Sequence, residues 1–128
     1  GFFGNIERNR MALTGMTSPP ADPTGNGKFA VSEADLDIAS RGLKAMGHPL
    51  RLKILCILAG AEEVSVQDLV DQVGTSQSNI SQHLSILRDK RILASRKDAN
   101  KVYYRIGDPK ILQLMGIMRD AFCTVTPY

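Results

Sequence analysis

A chain of 128 residues, 43% hydrophobic and 23% charged, has enough apolar side chains for one small domain, though folding alone would remove only about 60–70% of its unfolded surface. Two cysteines are too few for a disulfide framework, and no apolar run reaches the roughly eighteen residues of a membrane-spanning helix. The net charge of +3 is small, so a nucleic-acid reading depends on where the positive charge lies.

Residues 1–31 contain Pro19, Pro20 and Pro23 among Gly, Asn, Ser and Thr, with no sustained hydrophobic period, and are expected to form a flexible tail. Glu7, Arg8 and Arg10 interrupt the region where a secretory signal would be apolar, so a cytoplasmic protein is expected. The chain opens on Gly, and Met11 and Met16 are alternative natural starts. Ser32 and Asp35 have capping-box spacing and predict a helix running to about Met46. The next helix contains RLKILCILAG, apolar almost all round, which places it centrally and Cys56 in the interior. Ser65 and Asp68 open a short helix that Gly74 closes in the left-handed conformation.

After that glycine, Ile80, Leu84 and Leu87 recur at helical spacing, leaving Ser78, Gln82, Ser85 and Asp89 on the opposite face, with Ser76 and Gln77 in the first turn. Small and amide side chains suit close approach to base edges, and Gln pairs bidentately with adenine. Two β-prone runs, 92–98 and 101–106, flank Ala99 and Asn100 as a hairpin, although the Asn lacks its usual Gly partner. Between Ser76 and Arg105 lie seven basic and two acidic residues, a net +5 against +3 for the whole chain. The positive charge is therefore concentrated where a phosphate backbone would lie. Asp108 and Pro109 open a last helix with an apolar stripe of Ile111, Leu114, Met115, Met118 and Phe122, which suits a two-fold dimer.

With these motifs in order, the chain resembles the ArsR/SmtB family of bacterial winged-helix repressors, through GHPLRLKIL, SQSNISQHLSILR and SRKDANKVYYRI. The resemblance covers residues 35–123. It implies a mainly α fold with a small β-hairpin, a winged helix-turn-helix over 32–123 between tails 1–31 and 124–128, and a homodimer formed through the first and last helices. It implies a double-stranded operator as partner, contacted by Ser76, Gln77, Ser78, Ser81, Gln82, His83, Arg88, Arg96, Lys97 and Lys101. Arg91 departs from the pattern, because the family has Gly after the recognition helix.

Metal-binding relatives use Cys at the start of the helix before the recognition helix, or Asp and His on the last helix. Here the first place reads VSVQDLV and the last helix has no His, so neither a metal nor any other cofactor is expected. Composition alone would make Cys56 a small core hydrophobe and Cys123 an incidental thiol. RLKILC and MRDAFC, however, resemble the cysteine sites of the family's dithiol branch, the SqrR and BigR type of persulfide and oxidant sensors, with an extra residue in the loop 60–64. That resemblance implies a repressor released from DNA when reactive sulfur or an oxidant links Cys56 to Cys123. A repressor with another effector, a thiol enzyme and an interaction module without DNA binding are the alternatives. The absence of a CxxC motif speaks against the enzyme, and the local +5 against the interaction module.

Overall fold

The computed structural model describes residues 29–123, so the expected tails fall outside the described residues except for Phe29 to Val31. Among the described residues, five helices and three short strands follow in the order α1 (Glu33–Met46), α2 (Pro49–Ala59), β1 (Val64–Ser65), α3 (Val66–Val73), α4 (Gln77–Asp89), β2 (Leu93–Asp98), β3 (Lys101–Ile106) and α5 (Pro109–Phe122).

Side-chain caps set most of the helix starts. Ser32 Oγ accepts from the Asp35 N–H, Ser65 Oγ from Asp68 and Ser76 Oγ from Asn79, each at 3.1 Å. Asp108 Oδ1 accepts from the Lys110 N–H at 2.9 Å ahead of Pro109. His48 caps α2 through Nδ1, with Pro49 at the first helical position. Gly74 closes α3 at φ +80, as its position required.

The carboxyl end of α4 is a Schellman turn. The Ile92 N–H donates to the Leu87 carbonyl at 3.0 Å and the Arg91 N–H to the Arg88 carbonyl at 2.9 Å. This leaves Arg91 at φ +60, in the left-handed region that glycine adopts most easily. The hairpin carries its irregularity likewise, with Ala99 at φ +54 between the closing pair Asp98 and Lys101.

The sheet has strand order β1-β3-β2, all antiparallel, with Leu93 opposite Ile106 and Val64 opposite Tyr104. β1 is an addition to the expected hairpin, and its two residues are too few to show a period. The core lies beneath: Ile54, Leu55 and Leu58 of α2 meet Leu69 of α3 and Ile80, Leu84 and Leu87 of α4, all essentially sealed from solvent. Each such side chain contributes about 1.5–3 kcal/mol of transfer free energy. α3 and α4 form a helix-turn-helix whose wing is the β2–β3 hairpin, the architecture anticipated from the sequence.

One expectation is reversed. Cys56 is exposed, because α2 sends Ile54, Leu55, Leu58 and Ala59 inward and leaves Cys56 on its open side. An apolar helix need not be covered on every side.

Candidate nucleic-acid interface and thiol pair

Burying Ile80, Leu84 and Leu87 turns Gln77, Ser78, Ser81, Gln82 and Arg88 to solvent. Gln77 and Ser81 border an open groove of about 500 Å³ that also reaches Gln67 at the start of α3 and Asn100, Lys101 and Val102 on the wing. The groove thus lies between the polar flank of α4 and the hairpin tip. Ser76 is exposed, but its hydroxyl is engaged as the α4 cap. Lys97 and Lys101 are exposed near the tip.

Two of the expected DNA-contacting residues, His83 and Arg96, also have partners within the chain. His83 does not line the groove: its Nδ1 lies 3.1 Å from Arg51 Nη1, and its ring centroid lies 4.7 Å from that of His48. Burial, then the charges of His48 and Arg51, hold its pKa below the ordinary histidine value. Arg96 forms a two-point clasp with Glu63, Nε to Oε2 at 2.7 Å and Nη2 to Oε1 at 2.6 Å. Its guanidinium carbon lies 4.5 Å from the Tyr103 ring centroid, and Asp98 stands 3.8 Å from Nη1. The hydrogen bonds from Arg96 hold the Glu63 carboxyl below its ordinary pKa. The basic stretch counted from the sequence is therefore partly neutralised by an acid outside it. Glu63 and Arg51 were missed because their partners lie 33 and 32 residues away, beyond any local pattern.

The two thiols lie on neighbouring elements. Cys56 is on α2, and Cys123 caps α5, its N–H donating to the Arg119 carbonyl at 2.9 Å. Both are free and exposed. Local desolvation, then the charge on Cys123, raises the Cys56 pKa, so the thiols are within electrostatic reach of each other. Among the described residues, no group of three or more His, Cys, Asp and Glu is gathered as a metal site, and no helix is long and apolar enough to cross a membrane.

Comparison with known proteins agrees with this architecture. Residues 48–95, spanning α2 to β2, match the profile described as bacterial regulatory protein, arsR family. The chain is 34% identical over 96 residues to the HTH-type transcriptional regulator YgaV of Escherichia coli K12, covering 75% of this chain and 97% of YgaV. Its fold superposes on HlyU from Vibrio cholerae N16961 with TM-score 0.67 at 33% identity, over 73% of this chain and all of HlyU. It superposes on the transcriptional repressor BigR from Xylella fastidiosa with TM-score 0.65 at 32% identity, over 73% of this chain and 94% of that structure. The chain therefore belongs to the arsR family of bacterial regulatory proteins and is a winged-helix, DNA-binding transcriptional regulator rather than an enzyme.

Proposed function

We propose that the protein is a homodimeric repressor that leaves its operator when Cys56 and Cys123 become covalently linked. The observation that carries the switch is the pair itself: two free, exposed thiols on α2 and at the end of α5, helices that pack against each other. Base reading is assigned to Gln77, Ser78, Ser81 and Gln82, and phosphate contact to Arg88, Lys97 and Lys101 around the groove.

Dimerisation through α1 and α5 follows from what one chain leaves open. Of α1 only Ala45 and Met46, in its last turn, are buried, while Leu36, Ile38 and Leu43 are exposed, as are Ile117 and Phe122 of α5. An apolar groove of about 290 Å³ between Leu43, Met46, Leu52, Met118 and Phe122 continues that surface. A helix of 14 residues with so little packing is marginal in water, and a second copy supplies what it lacks.

In the proposed reaction the Cys123 thiolate takes a sulfane sulfur from a polysulfide, releasing the shortened polysulfide and leaving a persulfide. The Cys56 thiolate then attacks the Cys123 sulfur and expels hydrosulfide. The thiols lose two electrons, carried away as reduced sulfur; of their two protons one leaves on the hydrosulfide and the other passes to solvent. The raised pKa of Cys56 favours Cys123 as first attacker.

A mobility shift run beside intact-mass measurement tests the reading. Polysulfide should link the pair within one subunit and weaken DNA binding by about 5–150-fold, the usual span of coupling between sites. Cys56→Ser and Cys123→Ser should bind DNA without responding, and the variant retaining Cys123 should accumulate a persulfide. Release of DNA by both treated variants as by wild type would withdraw the thiol switch and leave DNA binding in place.

A further inference from the structure

A polar chain lying away from the DNA groove connects α1 to the middle of α4. Arg51, in the first turn of α2, donates from Nε to the Ala45 carbonyl at 2.6 Å, and its Nη1 lies 3.1 Å from His83 Nδ1. His48, the α2 cap, packs its ring on His83 from the side. Both contacts of Arg51 are partly buried, so water is a poor substitute for either.

The chemistry fixes the proton. A guanidinium has donors and no acceptor, so His83 Nδ1 accepts, which requires a neutral ring protonated on Nε2. A second proton would set donor against donor and cation beside cation. The charged and titratable groups acting on His83 are His48 and Arg51, both on α2, while α1 contributes the Ala45 carbonyl that holds Arg51 from the other side.

We propose that Arg51 is a positioning residue for DNA binding, holding recognition helix α4 to the end of α1 through neutral His83, so that protonation of His83 loosens the helix and weakens binding. The inference rests on α4 being the reading helix and α1 part of the dimer interface. Two reading helices must then keep a separation of about 34 Å, and a tie from interface to helix sets it. The sign is definite. Because the folded pKa of His83 lies below the ordinary histidine value, the tie is intact above that value and is lost as pH falls through the folded one. Protonating a protein ordinarily strengthens its attraction to phosphates, so loss of affinity on acidification runs against the general trend.

The experiment uses a duplex selected by the full-length wild type from a randomised pool. Between about pH 8 and about pH 5.5, wild-type affinity should fall roughly tenfold. Arg51→Met should already be weakened by a similar factor at the higher pH and show no acid-side decline. His83→Asn presents an amide oxygen where Nδ1 accepts but takes no proton, and should also lack the decline. If Arg51→Met does not fold, Arg51→Lys, which reaches one acceptor but not both, carries the same expectation. Nitrogen chemical shifts of the His83 ring in the free protein should show an unprotonated Nδ1 at neutral pH. Wild-type affinity for Arg51→Met at the higher pH, a wild-type pH profile for His83→Asn, or a protonated Nδ1 would overturn the inference alone. Failure of the wild type to select any duplex would withdraw the reading of α4, and the inference with it.

Discussion

Arg91 shows how a single residue can carry a local conflict. It stands at the one position of the Schellman turn that needs a left-handed backbone, at φ +60, where a side chain costs roughly 1–2 kcal/mol. Part of that is offset because glycine loses more entropy on folding, by roughly 0.5–1 kcal/mol. Arg91→Gly should therefore stabilise the free protein by about 0.5–1 kcal/mol in urea unfolding. An unchanged or lower midpoint would mean that the Arg91 side chain makes compensating contacts. Arg96 presents a different conflict, between a count of charges and their use. Its guanidinium is committed to Glu63, whereas Lys101 borders the groove. Lys101→Ala should reduce the salt slope of DNA binding by about one, while Arg96→Ala should reduce it by much less. Glu63→Gln removes the counter-charge and should tighten binding to all duplexes. Equal slopes for the two alanine variants in a potassium chloride titration would place Arg96 on phosphate after all.

At the scale of elements, α4 combines an inward stripe with an outward face of small and amide side chains. Replacing Gln77 or Gln82 by Ala should cost about 1–3 kcal/mol on the preferred duplex and little on random DNA. Loss of equal size on both would make these glutamines positioning contacts instead. The limits of α1, α3, α4 and α5 were legible in advance because their ends are written locally, in Ser32, Ser65, Gly74 and Asp108, and because Ile80, Leu84 and Leu87 repeat within one helix. What escaped is non-local. β1 exists because Val64 and Ser65 pair with Tyr104 and Tyr103, some forty residues downstream, and no two-residue strand announces itself. The apolar run of α2 reads as central, yet which side stays open depends on how α5 returns across it, so Cys56 was misplaced. The contact of His83 with Arg51 of α2 was likewise out of reach of a local pattern.

Taken whole, the described residues form a reading head joined to an apolar surface that they leave open. Ile38 is 68% exposed and Ile117 50% exposed, so in a single chain neither contributes much to the core. Substituting them by Glu should leave the fold intact and act on assembly alone, a separation that core positions such as Leu84 do not allow. Ile38→Glu combined with Ile117→Glu is expected to yield a folded monomer in sedimentation at micromolar concentration, with wild-type helix content. Each monomer then meets a half-site without the second one held nearby, and affinity for the full duplex should fall by about a hundredfold or more. Footprinting should change in parallel, from two protected segments about one helical turn apart to weak protection of either. A wild-type chain that sediments as a monomer while protecting a single half-site would contradict the proposed dimer. It would also make the exposed faces of α1 and α5 a surface for a partner other than a second copy.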